Sequence, residues 1–364
     1  MFMKKYFFHL GILLSCTLQP LIAQEQKKEQ YPVRAVVLAA GKSTRFKTKK
    51  SKLLHPICGR PMILHILKTL DELNIPTTLV LGYQSADIQE AVNHSGIKPV
   101  TYAFQEKQIG TGNAVACAKH TWADAENIIM IYGDMPLVSK DIIEKIIKEH
   151  QAKKALHTFT TCTLQNPPPY GRVINTNGRY EIIESKDCTP EQLKITTVNA
   201  GIDMINQQWL FENIDKITPS KNSGEFYFTK IAKIASDQDK FVQTVEVPFG
   251  ATQGANTLQE FAEVEHIKNT ELIHDWMSKG VRFEVPSSTL IDMDVIIGAD
   301  SIIKAGVQLR GKTTIGNGTT VDAYSVIQDT TIGDNCSIGA HAVINQVVVA
   351  DNTTIAPLTY LHQK

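Results

Sequence analysis
The chain has 364 residues, 43% hydrophobic and 20% charged, the make-up of a globular protein large enough for two domains, which excludes a disordered or collagen-like chain. Lysine plus arginine and aspartate plus glutamate both number 37, so no global field holds a nucleic acid, and any polyanion must be bound locally, around Lys42 to Lys52. Six cysteines (Cys16, Cys58, Cys117, Cys162, Cys188, Cys336) are scattered without a C-x-x-C pair and eleven histidines without an H-E-x-x-H arrangement, which gives no support to a zinc site and points to reduced thiols.

In chain order, Lys4 and Lys5 precede an apolar run over residues 7–14 and a further apolar stretch to Ala23, the pattern of a secretory signal or short anchor. Leu13-Leu14-Ser15-Cys16 also reads as a weak lipoprotein box, while His9, Gln19 and Pro20 make the segment too polar for a comfortable membrane span. Residues 1–32 are placed outside the fold.

From Val33 strand-like runs alternate with amphipathic ones: a strand over 35–38, a helix over 62–73 with apolar residues at i, i+3 and i+4, a strand over 78–81, helices over 87–92 and 111–119, a strand over 128–132 and a helix over 140–149. The alternation predicts an α/β domain over 33–258 with right-handed crossovers and a mostly parallel, Rossmann-like sheet covered on both faces. Ligands of such sheets bind beyond the carboxyl ends of the strands, where the Gly41 loop and Gly133-Asp134 would meet.

A linker helix is expected over 259–282, and over 283–364 the texture changes. Aliphatic residues recur every six positions at Ile297, Ile303, Leu309, Ile315, Val321 and Ile327, then at Ile332, Ile338 and Ile344, then at Val349 and Ile355, with two steps one residue short. Glycines and asparagines fill the corners. This is the signature of a hexapeptide β-helix, and eleven aliphatic positions in step disfavour a β-sandwich with irregular turns. Three hexapeptides per coil give between three and four coils, whose bare end predicts association with other chains.

The stretch from Arg34 to Lys52, R-A-V-V-L-A-A-G-K-S-T-R-F-K-T-K-K-S-K, carries the most chemistry. A buried strand ends in a glycine-containing turn whose backbone amides, with Arg45 and Lys52 nearby, can neutralise a triphosphate. Leu38-Ala39-Ala40-Gly41, Thr44-Arg45 and Lys52 resemble the signature of the sugar-1-phosphate nucleotidyltransferases. The likeness is greatest to the uridylyltransferase half of the bacterial bifunctional (GlmU-type) UDP-N-acetylglucosamine pyrophosphorylases, and covers roughly residues 33 to 358. Two departures stand out: the second glycine usual in the loop is Ser43, and the proline usual before the lysine is Ser51.

Uridylyl transfer needs cations, a magnesium site and a base-recognition edge, because the protein mainly positions reactants and offsets charge. Asp134, in Tyr132-Gly133-Asp134-Met135-Pro136, is a strand-end carboxylate of the kind that either caps a turn or binds magnesium together with substrate phosphates. Its context resembles the family's metal segment, and Gly254-Ala255-Asn256 matches that family's second ligand, Asn256. In the string from Phe104 to Ala114, a glutamine amide presents donor and acceptor together to a base edge, and Gly110-Thr111 opens a helix. The resemblance gives Gln105, Gly110 and Thr111 that role, and Gly171, Glu184 and Asn199 the surroundings of an N-acetylglucosamine moiety. It makes Thr229 a phosphate contact, with Lys230 where the family has an aspartate.

The resemblance implies UTP and N-acetylglucosamine 1-phosphate as partners, Mg2+ as cofactor, a homotrimer formed through the β-helix, and a product used in cell-wall synthesis. The far coils that carry acetyl transfer in the bifunctional family have no counterpart here, so acetyltransferase activity is expected to be absent. Thymidylyl or adenylyl transfer is the alternative within the class, and a non-catalytic trimeric nucleotide-binding scaffold the alternative outside it. A UTP-dependent reaction favours the cytoplasm, with the signal-like segment an extended reading frame or inert leader, and no membrane partner is assigned.

Overall fold
The computed structural model describes residues 31–363, so the signal-like residues 1–30 fall outside it. The first strand, β1 (Tyr31–Ala39), begins two residues before Val33. Its alternate residues enter two different cores, Val33, Ala35, Val37 and Ala39 on one face of the sheet and Val36, Leu38 and Ala40 on the other. This two-sided burial is why the stretch reads as continuously apolar.

A small hairpin, β2 (Pro56–Ile57) and β3 (Arg60–Pro61), leads into α1 (Met62–Glu72). Then come β4 (Thr77–Leu81), α2 (Ser85–Asn93), β5 (Thr101–Phe104), α3 (Thr111–Cys117), β6 (Ala125–Tyr132) and α4 (Lys140–Lys153). Strands β5, β4, β1 and β6 lie side by side and parallel, so the ends of all four face one rim. The predicted parallel pairing of strands joined through helices is found in this half.

Beyond β6 the sheet becomes mixed. β7 (His157–Thr163), the hairpin β8 (Arg172–Thr176) and β9 (Arg179–Ile183), and β10 (Thr197–Asn206) follow. β10 inserts antiparallel between β6 and β7, with a break in register between Asn199 and Asp203. The short α5 (Gln207–Asn213) and α6 (Lys230–Asp237) pack on the β1 Val36 face, and β11 (Val242–Glu246) closes the edge parallel to β7.

After the single turn α7 (Phe249–Thr252), the 21-residue α8 (Leu258–Ser278) starts with a capping box formed by Thr257 and Glu260. Val264 of α8 belongs to the sheet core and Ile273 to the core of the following domain. That domain is the left-handed parallel β-helix expected from the repeat. Its first coil is held to the front domain by Arg60 and Asp294 at 2.6 Å and by the Met293 amide donating to the Cys58 carbonyl at 2.8 Å.

All eleven aliphatic positions of the repeat point inward and are buried. Leu290 pairs with Gln308 and Gln308 with Val326, eighteen residues apart, whereas Val326 pairs with Val343 and Val343 with Tyr360, seventeen apart. The short steps fall at corners where Asp329 and Gln346 take left-handed φ angles of 48° and 54°. Among the described residues, no helix is long and apolar enough to cross a membrane.

Candidate active site
The rim of the parallel strands holds a cavity of about 450 Å3. It is lined by Leu38, Ala39, Ala40 and Gly41 after β1, by Arg45 and Lys52 from the basic loop, by Gln105, Gly110 and Thr111 after β5, and by Tyr132 and Asp134 after β6. Four separate chain segments converge there because parallel strands end together.

The charged centre is compact. The Lys52 ammonium donates to Asp134 Oδ2 at 2.5 Å and to Asn256 Oδ1 at 2.8 Å, and the Arg45 guanidinium donates to the same Asn256 oxygen at 2.9 Å. The Lys52 and Asp134 side chains are only 13% and 18% exposed, so the pair is screened less than a surface ion pair. Asn256 is fixed from behind, since Glu260 accepts hydrogen bonds from the Asn256 and Thr257 amides at 2.7 and 3.1 Å. Two oxygen acceptors thus converge on one ammonium, and this carboxylate-plus-amide pair suits a hard divalent cation that takes its remaining ligands from water and phosphate. Among the described residues no cluster of three or more His, Cys, Asp or Glu offers an all-protein cage.

The loop geometry shows what one sequence departure costs. Ser43 sits at φ 54°, the left-handed region in which a glycine carries no penalty and a serine does. Around Gly41 a Cβ would meet nothing within 4 Å, so the cavity is open beside this turn.

In the base-recognition segment, the Gln105 amide nitrogen donates to the Gly110 carbonyl and to Asn113 Oδ1, both at 2.9 Å, which presents its oxygen as the acceptor. Gly110 has φ 129°, and a Cβ there would lie 2.5 Å from the Phe226 backbone. Thr111 is the first residue of α3 rather than its cap, and its hydroxyl accepts the Phe228 amide at 2.8 Å. The segment around Phe226 therefore clamps this loop from outside.

A second cavity, about 250 Å3, shares Arg45, Tyr132, Asp134 and Asn256 with the first and adds Gly171, Glu184 and Asn199. Burial pushes the Glu184 carboxyl above its ordinary range, opposed by the Thr229 hydroxyl, which donates to it at 2.8 Å. Burial likewise pushes the Tyr132 phenol up, reinforced by Glu184, Asp203 and Asp134, and carries Tyr170 to about 12. Both phenols stay protonated donors at neutral pH.

Two expected residues lie elsewhere. Thr229, read as a phosphate contact, is 3% exposed, lines neither of these two cavities and donates to Glu184; it lines a further cavity of about 600 Å3 together with Lys216, Lys221 and Lys230. Gly133 lines neither cavity; its amide donates to the Leu38 carbonyl at 2.9 Å, and a Cβ would meet Ile63 at 2.6 Å. Lys230 turns its ammonium to the carbonyls of Thr218 and Pro219 at 2.8 and 3.1 Å. Sequence reasoning missed Glu260, although Thr257-x-x-Glu260 is a readable capping box, and Gln84, which had no local signal.

Residues 35–175 match the MobA-like NTP transferase domain and residues 278–364 the GMPPB C-terminal domain. The bifunctional protein GlmU of Clostridium tetani is 37% identical over 285 residues, covering 77% of this chain and 62% of that protein. The GlmU proteins of Clostridium botulinum strain Langeland and of Fervidobacterium nodosum are 34% and 36% identical over 297 and 302 residues, covering 80% and 82% of this chain. Over that shared part the chain is similar to the GlmU-type proteins. It spans 64% of the length of those last two GlmU proteins, and the matched part takes in most of the front domain and its junction with the β-helix. A Bacillus anthracis structure described as a glucose-1-phosphate thymidylyltransferase in complex with a sucrose superposes with a TM-score of 0.54 at 20% identity, covering 65% of this chain and 94% of that one. At that identity the likeness concerns the fold alone.

Proposed function
We propose that the protein transfers the uridylyl group of UTP to N-acetyl-α-D-glucosamine 1-phosphate, giving UDP-N-acetylglucosamine and diphosphate. The observation that carries this reading is the meeting of Lys52, Arg45, Asp134 and Asn256 at the junction of the two cavities.

The sugar phosphate attacks the α-phosphorus in line, and no general base is needed because that phosphate is already ionised at neutral pH. Asp134 and Asn256 would hold Mg2+, which when bound offsets charge on the phosphates and orients them. Lys52 and Arg45 add two cations at the same point, and partial burial strengthens Lys52. The Gln105 carbonyl oxygen faces the first cavity as an acceptor for the imide N–H of uracil, and the Gly41 turn leaves room for the triphosphate. Glu184, Asn199 and the backbone at Gly171 receive the hydroxyl and acetamido groups of the sugar in the second cavity.

The β-helix supports a homotrimer in this reading. One outward column runs Leu290, Gln308, Val326, Val343, Tyr360, with Leu290, Val343 and Tyr360 exposed, an apolar stripe of the sort other chains cover. Light scattering at micromolar concentration tests it. The substrates place the reaction in the cytoplasm, and cleavage near Ala23 found by sequencing the mature N-terminus would count against that. Acetyl transfer to glucosamine 1-phosphate is proposed to be absent, and thiol release from acetyl-CoA is the check.

The deciding experiment is Mg2+-dependent diphosphate release with UTP and N-acetylglucosamine 1-phosphate, run beside dTTP, ATP and other hexose 1-phosphates. Release with UTP and the N-acetylated sugar at least tenfold above every other pair is expected. Equal or better turnover of another pair would reassign the substrate, and no release with any pair would leave only the nucleotide-binding scaffold.

A further inference from the structure
We infer that Gln84 is a positioning residue for Lys52, acting through the backbone of the basic loop; this rests on the uridylyl-transfer reading and refines it. Gln84 follows β4 at φ 51°, left-handed, in the position just before α2, yet its side chain does not cap that helix. Its Oε1 accepts from the Ser51 amide at 2.5 Å, and its Nε2 donates to the Lys49 carbonyl at 3.0 Å. One amide thus grips the chain on both sides of Lys50. Lys49 and Lys50 in the gripped stretch and Lys47 just before it are all exposed, and their mutual repulsion favours a splayed loop.

Ser51 is 1% exposed and opens the helical turn of Lys52, with the Leu54 amide donating back to the Ser51 carbonyl at 3.0 Å. Holding the Ser51 peptide therefore sets the direction in which the next residue, Lys52, leaves the chain toward Asp134. Ser51 has φ −55° and ψ 136°, a conformation that proline adopts without strain. The related family usually has proline here, and proline offers no N–H. The loop can therefore be aimed in two ways, by a ring that fixes φ or by a hydrogen bond to the amide that the ring would remove. The two exclude each other, because a proline Cδ on a nitrogen 2.5 Å from Gln84 Oε1 would collide with that oxygen. A left-handed glutamine is tolerated at 84 because its amide does the work of the missing ring.

The test uses the full chain and three variants. Gln84→Gly removes both hydrogen bonds while relieving the left-handed backbone, so its Tm should equal or exceed that of the parent. Its kcat for diphosphate release should fall about tenfold, with KM for UTP changed less than threefold, because a misaimed Lys52 costs the transition state more than binding. Ser51→Pro alone should also lower kcat, since ring and amide compete for one space. The double variant should recover to within about threefold of the parent, which a merely structural role for Gln84 would not produce. Parental kcat in Gln84→Gly, or a double variant no better than either single one, overturns the inference.

Trypsin cleavage after Lys47 and Lys49, two bonds that Ser51→Pro leaves intact, gives a second readout that needs no turnover. It should quicken several-fold in Gln84→Gly and slow again in the double variant, and unchanged rates overturn the clamp. If the parent releases no diphosphate the uridylyl-transfer reading fails, and the cleavage rates still judge whether Gln84 holds the loop.

Discussion

Replacing Lys52 tests the centre of the site most directly. Its ammonium is 13% exposed and lies between two oxygen ligands, so it acts in a medium of effective dielectric near 20 rather than that of water. A unit charge about 4 Å from a phosphate oxygen is then worth about 4 kcal/mol at most, and deleting one preorganised donor in comparable sites costs about 2.7–4 kcal/mol. Lys52→Ala should therefore lower kcat roughly 10²- to 10³-fold. Lys52→Met keeps the aliphatic stem and should fall as far, which would assign the effect to charge rather than packing. The same deletion frees Asp134 and Asn256 of their cation, so Mg2+ affinity without nucleotide, read by calorimetry, should rise. Diphosphate release is followed under saturating UTP and sugar phosphate. Turnover within threefold of the parent for both variants would refute the reasoning.

Asp134→Ala removes the one carboxylate of the proposed magnesium pair and should lower kcat more than about 100-fold with no recovery at high Mg2+; recovery would move the ligand elsewhere. Glu184→Gln should raise KM for the sugar phosphate about fivefold, the difference between a charged and a neutral acceptor. Burial raises the Glu184 carboxyl, so its stabilising contribution is present below the ordinary carboxylate range and lost as pH climbs through the raised value. In urea unfolding Glu184→Gln should thus be the more stable protein at pH 7, with the gap closing in acid; a gap independent of pH would contradict the assignment. His65 and His150, lowered to about 4 mainly by burial, act in the opposite sense: the unfolded chain protonates them first, so stability falls as pH drops from 7 to 5, by about 2 kcal/mol each. Flat stability over that range in the parent would exclude both.

The parallel half of the sheet was readable because its signals are local. The strand over 35–38 is buried on both faces, and the helix over 62–73 shows one apolar side. The six-residue step of the tail was plainer still, and even its two short steps map onto the left-handed corners at Asp329 and Gln346. β10 was not readable: whether a buried run such as Val198 to Ile205 pairs parallel or antiparallel depends on partners distant in sequence. In the site, Lys52 and Asp134 were legible from motif context. Their contact with Arg45 and Asn256, drawn from residues up to 211 positions apart, is a property of the fold. Spacing alone could not show that the Thr229 hydroxyl bonds the Glu184 carboxylate.

One helix ties the two halves of the molecule together mechanically. α8 begins two residues after Asn256, runs through the sheet core at Val264 and ends in the β-helix core at Ile273. It behaves as an axle seated in two bearings: twisting the tail against the front domain must drag its first turn, and Glu260 in that turn grips the Asn256 amide. Whatever fixes the tail in an assembly therefore also steadies Asn256, some distance away and without touching it.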